Sequence, residues 1–182
     1  MQATPTTLPG VLIVESKVFA DARGFFTESF NQRDFDAAIG HAVNFVQDNH
    51  SCSRRGVLRG LHYQLPPHAQ GKLVRVVKGS AFDVAVDIRR DSPTYGRWYG
   101  TTLDARSPRQ VWIPAGHAHG FLALEDDTHF VYKTTGYYAR DCEHAIAWND
   151  PAIGIDWPVL DSTPILADKD AAAPLLARAD TF

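Results

Sequence analysis

An antiparallel all-β fold, closed into a barrel or sandwiched as a jelly roll, is the architecture this sequence predicts. Three observations lead there. Apolar residues recur with a period of two in several segments, as they do where a strand covers a core. Gly, Pro, Asn and Asp punctuate those segments at short intervals, as tight connections require. Helical periodicity is confined to two short stretches.

The first strand candidates are residues 11–18 and 24–30, rich in Val11, Ile13, Phe25, Phe26 and Phe30. Residues 34–39 follow as a short helix, with acidic Asp34 and Asp36 in its first turn and Gly40 as its stop. Residues 72–78 read as a strand buried mainly on one face, and Gly79-Ser80 as a turn. Then Phe82, Val84, Val86 and Ile88 alternate with Ala81, Asp83, Ala85 and Asp87 until Asp91-Ser92-Pro93-Thr94 breaks the pattern. Residues 97–103, 110–113, 120–125, 130–135 and 144–148 are further strands, and a second helix is expected from Asp170 onward.

Length and charge narrow the function. The chain's 182 residues fit one domain, 1–182, with room for a substantial core. Its 18 basic and 21 acidic residues leave a net charge of −3, so no global basic field invites nucleic acid. No apolar run approaches the ~20 residues of a membrane helix, and no signal-peptide pattern opens the chain. A cytoplasmic protein with no membrane partner is expected. Cys52 and Cys142 form no disulfide framework and no C-x-x-C motif.

Chemistry-bearing residues cluster in four places. The densest is QDNHSCSRRGVLRGLHYQ at 47–64. Arg59 and His62 lie an odd number of positions apart, so they face opposite sides of a strand unless a bulge at Gly60 intervenes. WIPAGHAHGF at 112–121 turns at Pro114 and Gly116 and carries His119 into the next strand. Tyr132 with Lys133, and Lys169 with Asp170, complete the set. Taken singly, each has an ordinary structural explanation. A histidine in a β protein is usually a satisfied structural residue, Tyr132 a core aromatic, Asp168 or Asp170 a helix cap. Their joint occurrence argues otherwise.

Over nearly its whole length the sequence resembles the dTDP-4-dehydrorhamnose 3,5-epimerases. The matching strings are DARGFFTESF (21–30), QDNHS (47–51), GVLRGLHYQ (56–64), QGKLVRV (70–76) and DVAVDIR (83–89). SPTYG (92–96), IPAGHAHGF (113–121), WNDP (148–151) and Lys169-Asp170 follow in the family's order. The resemblance implies a cupin-type jelly roll acting as a homodimer on a dTDP-4-dehydro-6-deoxyhexose, with no metal and no nicotinamide cofactor. It casts His62 as proton acceptor, Tyr132 as proton donor and Asp170 as the carboxylate that orients His62. Arg23, Glu28, Gln47, Asn49, Arg59, Lys72, His119, Glu143 and Lys169 form its substrate-binding set. Tyr138 joins them, with an influence on how many carbons are inverted.

The implied reaction inverts C3 and C5 of dTDP-4-dehydro-6-deoxy-D-glucose to give dTDP-4-dehydro-L-rhamnose. A C4 ketone acidifies both neighbouring C–H bonds, so each inversion removes a proton from one face of an enolisable carbon and returns one to the other. Histidine suits the base, and a phenol with an ordinary pKa of ~10 suits the acid. Lys72 is the candidate to stabilise the C4 oxyanion. Arg23 and Arg59 suit a pyrophosphate, Gln47, Asn49 and Glu28 a pyrimidine edge, and Phe19 and Phe26 its ring face. Three rivals remain: an epimerase acting only at C5 or only at C3, a non-catalytic nucleotide-sugar binder, and a metal-dependent cupin oxygenase. The last is disfavoured because Gln64 stands where a second histidine ligand is needed.

Overall fold

The computed structural model describes residues 1–159 and 162–182. Strands β1 (Gln2–Pro5), β2 (Leu12–Glu15), β3 (Val18–Asp21) and β4 (Gly24–Thr27) precede helix α1 (Gln32–Ile39). Next come β5 (Gln47–Ser53), β6 (Leu58–Gln64), β7 (Lys72–Lys78), β8 (Ser80–Asp87) and β9 (Trp98–Asp104). After β10 (Arg109–Ile113), β11 (His117–Ala123), β12 (Thr128–Thr134) and β13 (Glu143–Ala145), a single turn, α2 (Asp168–Ala171), lies near the C-terminus.

The strands form two main antiparallel sheets, as the period-two segments predict. One has six strands in the order β1-β2-β10-β7-β12-β5, the other five in the order β13-β6-β11-β8-β9. Between them, Val74, Val76, Val111, Ile113 and Phe130 from the larger sheet pack on Ala81, Ala85, Leu103 and Phe121 from the smaller. Phe121 and Phe130 stack with ring centroids 4.0 Å apart. The outer face of the smaller sheet is also covered: Leu61, Val84, Val86 and Ile88 pack against Ile146, Ile153 and Leu176 of the C-terminal region. Both faces of β8 are therefore buried. Its small and acidic face, not its aliphatic one, looks into the sandwich.

Several elements differ from the expected ones. Residues 11–18 are two strands, because the chain leaves the large sheet after Glu15 and β3 pairs only with β4. Strand 24–30 stops at Thr27, and Ser29 and Phe30 lead into α1. The helix begins two residues before Asp34, capped by the Asn31 side chain, and ends on left-handed Gly40 (φ 84°). Phe35 anchors it against Phe30, Phe45 and Trp112. The strand expected at 120–125 starts at His117, and that expected at 144–148 is β13, ending at Ala145. Near the C-terminus the helical residues are only Asp168–Ala171 and a 3-10 turn at Leu176–Arg178. β1 and β5 were not legible as strands; β5 is almost wholly polar. Among the described residues no helix is long and apolar enough to cross a membrane.

Candidate active site

The site begins with an irregularity in β6. Opposite β11, His62 pairs with His119 and Arg59 with Phe121, so three steps along β6 match two along β11. This is the bulge anticipated at Gly60. Gly60 has φ 131°, and a Cβ there would lie 2.5 Å from the Gly120 Cα. Gly120 in turn has no room for a side chain, with the Arg59 carbonyl 2.9 Å from its ideal Cβ. Two glycines back to back let the strands approach and the register slip. The slip puts Arg59 and His62 on the same cavity.

That cavity, of about 440 Å³, opens between the two sheets and is lined by Asn49, Arg59, His62, Lys72, His119, Tyr132, Glu143, Lys169 and Asp170. His62 comes from the five-stranded sheet and Tyr132 from the six-stranded one, so they stand on facing walls. Asp170 arrives by a different route. The Val57 segment bridges in parallel to Ile165, and α2 follows directly behind β6. Its carboxylate Oδ1 lies 2.6 Å from His62 Nε2, and the Gly60 amide donates to Oδ2 at 3.4 Å. Asp170 is only 3% exposed. Burial alone would raise its pKa, but the hydrogen bonds and the charge of Lys169 outweigh it and hold the carboxyl below its usual range.

Lys72 is buried, and its ammonium donates to the His62 carbonyl oxygen at 3.3 Å. Burial lowers its pKa to about 8 against the opposing pull of Asp83 and Glu143. Burial likewise raises the Tyr132 phenol, so it stays protonated at neutral pH. No described residue bonds its hydroxyl. At the mouth, Glu143 accepts from Lys169 at 2.8 Å and from the Tyr138 hydroxyl at 3.1 Å. Gln47 and Tyr138 line an adjoining recess, where the Gln47 amide donates to Asn49 and its carbonyl oxygen accepts from the Tyr138 backbone. Arg59 donates to the Ser53 hydroxyl at 3.2 Å.

Two of the expected substrate-binding residues lie elsewhere. Arg23 and Glu28 are exposed on or beside the β3–β4 hairpin, outside this chain's cavity. The Arg23 guanidinium is engaged with Asp21 of the same turn. Phe19 and Phe26 sit there too, 6.4 Å apart and exposed. Gln64, the position that decides the metal reading, has its amide committed to backbone: it donates to His68 and Tyr137 and accepts from Ala139.

One residue of the site escaped sequence reasoning. Asp83 lies 2.6 Å from His119 Nε2, a second buried His–Asp pair beside the first. The available signal was a carboxylate in the middle of a strand whose same-face neighbours, Ala81 and Ala85, are small and apolar.

A sequence profile described as dTDP-4-dehydrorhamnose 3,5-epimerase matches residues 5–178. The chain is 57% identical over 182 residues to the dTDP-4-dehydrorhamnose 3,5-epimerase of Shigella flexneri, covering 100% of this chain and 99% of that one. It superposes with a TM-score of 0.94 and 47% identity on a crystal structure from Legionella pneumophila Philadelphia 1, covering 98% of this chain and 94% of that one. That structure is of a dTDP-6-deoxy-D-glucose-3,5-epimerase in complex with dTDP-4-keto-L-rhamnose. A 3'-monoepimerase from Streptomyces bikiniensis in complex with dTDP-quinovose superposes with a TM-score of 0.89 and 40% identity, covering 97% and 88%.

Proposed function

Because the chain belongs to the dTDP-4-dehydrorhamnose 3,5-epimerase family, we propose that its cavity inverts two carbons of a nucleotide sugar by proton transfer between facing walls. The protein is an isomerase with a cupin-like β sandwich. Its reaction converts dTDP-4-dehydro-6-deoxy-D-glucose to dTDP-4-dehydro-L-rhamnose. The single observation that carries the reading is the His62–Asp170 pair on one wall and the unbonded Tyr132 hydroxyl on the other, in a cavity that also holds Lys72.

A sugar ring between the walls presents one face to His62 and the other to Tyr132. Asp170 accepts a hydrogen from Nε2, leaving Nδ1 to take the C5 or C3 proton and stabilising the imidazolium that results. Electrons of the broken C–H bond delocalise onto the C4 oxygen as an enolate. Lys72, an ammonium at neutral pH, offers its charge to that oxygen. Tyr132 returns a proton to the carbon from the opposite face and is itself reprotonated from solvent. Arg59 and Lys169 supply positive charge for the diphosphate, and Gln47, Asn49 and Tyr138 hold the nucleoside side of the ligand.

Arg23 and Glu28 act, on this reading, in the cavity of a second copy. Their hairpin is paired only to itself and carries Phe19, Phe25 and Phe26 exposed. A homodimer exchanging these hairpins gives the aromatic side chains a covered place and completes each substrate site. The 57% identity over the full chain to the 3,5-epimerase of Shigella flexneri supports inversion at both carbons.

Proton NMR of the sugar in deuterated water tests the function. Deuterium is expected at both C3 and C5 with the wild type, and at neither with His62→Asn. Deuterium at one carbon alone would make the protein a mono-epimerase; exchange at the wild-type rate in His62→Asn would remove His62 as the base.

A further inference from the structure

The proton transfers described for His62 and Tyr132 leave Asp83 without a part, yet it is among the most buried charges of the site, 2% exposed on the inner face of β8. Its Oδ1 lies 2.6 Å from Nε2 of His119, itself 6% exposed. A carboxylate can only accept here, so Nε2 carries the hydrogen. Nδ1, with no partner among the described residues, is then the nitrogen left for a ligand. Burial lowers the His119 pKa despite the neighbouring carboxylate, so the ring is neutral near pH 7 and Nδ1 is an acceptor. A sugar hydroxyl is the group it can receive.

Asp83 also acts on Lys72. Lys72 shares the cavity with the titratable and charged groups Arg59 and His62 on β6, His119 on β11, Tyr132 on β12, Glu143 on β13, and Lys169 and Asp170 on α2. Asp83 on β8 stands against the cavity residue His119 at 2.6 Å, from where its charge acts on the ammonium. Of the carboxylates Asp83 and Glu143, Asp83 exerts the larger effect. Glu143 is already claimed by Lys169 and Tyr138. Asp83 is bonded only to a neutral imidazole, so its charge is not otherwise compensated. A buried ammonium without a counter-charge gives up its proton.

Building on the epimerase reading, we propose that Asp83 is a positioning residue with two tasks: it holds His119 with Nδ1 turned to the substrate, and it supplies the buried negative charge that keeps Lys72 an ammonium beside the C4 oxygen.

The test is the pH dependence of deuterium exchange in the wild type, Asp83→Asn and Asp83→Ala, with folding checked by circular dichroism. Asparagine keeps an oxygen for His119 Nε2 but removes the charge. Wild-type kcat should fall as pH rises through about 8, where Lys72 deprotonates. In Asp83→Asn the same fall should begin roughly one pH unit lower or more, with KM little changed. In Asp83→Ala, KM should rise as well, because His119 loses its anchor. An alkaline fall in Asp83→Asn at the wild-type pH would overturn the charge role, since a merely structural residue lowers the rate without moving the profile. If the variants do not fold, nitrogen-15 spectra of histidine in the wild type decide the positioning role. His119 must carry its hydrogen on Nε2, and the opposite tautomer refutes it. Absence of exchange in the wild type would instead retire the epimerase reading itself.

Discussion

The Tyr132 phenol faces the cavity with its hydroxyl unclaimed by any described residue, and burial raises its pKa over the opposing pull of the Arg59 charge. The phenol is thus held in its acid form, as the proposed proton donor must be, while His62 across the cavity is fixed by Asp170 at 2.6 Å. The division of labour makes Tyr132→Phe informative. Inversion is expected to fall by ~10²–10⁴, the usual worth of a positioned acid. Loss of label from C3 and C5 to solvent should continue, because His62 and Lys72 remain. Following washout and product in one reaction separates the two; a fall of both by the same factor would make Tyr132 a positioning residue only. At this scale His62 and Asp170 were legible as site candidates because they fall in the family's strings GVLRGLHYQ and Lys169-Asp170, and Tyr132 by its position in the resemblance. Asp83 was not, because an aspartate in an alternating strand looks like a solvent-facing residue until both faces are known to be covered.

β6 shows how one element decides the site. A regular strand would point Arg59 and His62 to opposite sides. The bulge at Gly60 places both on the cavity, and it depends on the absence of a side chain at Gly60 and at Gly120. Gly60→Ala would put a Cβ 2.5 Å from the Gly120 Cα at φ 131°. Roughly 2–4 kcal/mol of stability should be lost, from backbone strain and overpacking together. Whatever folds should exchange deuterium poorly, because Arg59 and His62 no longer share a wall. A denaturation midpoint equal to that of the wild type would show that the bulge tolerates a side chain. Element boundaries were less legible than element types. β7 matches its expected bounds because Val74 and Val76 alternate with Arg75 and Val77 and a clear turn follows at Gly79. β5 was hidden because Asp48, His50 and Cys52 face out while Gln47 and Asn49 face a polar site, leaving no hydrophobic period to read.

At the scale of the whole molecule, assembly turns on the β3–β4 hairpin. Phe25 and Phe26 are 69% and 67% exposed, and a two-stranded ribbon has little stability alone. Burying each such ring is worth ~1.5–3 kcal/mol, so a second copy that covers them gains substantially. If the hairpin completes its partner's cavity, mixing inactive His62→Ala with inactive Arg23→Ala subunits should restore activity. One of the two pockets in the hybrid then has both residues intact, for an expected half of wild-type activity per hybrid. Native mass spectrometry confirms the mixed dimers. Hybrids without activity would place Arg23 in its own chain's site, and an active monomer by light scattering would end the idea.

The sequence alone determined the fold class, the order of the motifs, the reaction chemistry and most of the groups that line the cavity. The fold class follows from local periodicity, whereas the reaction chemistry and the cavity residues follow from the family's motifs, which this sequence carries in order. Tertiary structure decided which face of β8 looks inward, how the slip at Gly60 aligns Arg59 with His62, and that α2 brings Asp170 to the back of β6. It also paired Asp83 with His119 across neighbouring strands and left Arg23 and Glu28 outside their own cavity. Each of these is a relation between segments distant in the chain. Close packing and strand register set such relations, and neither is written in any single segment.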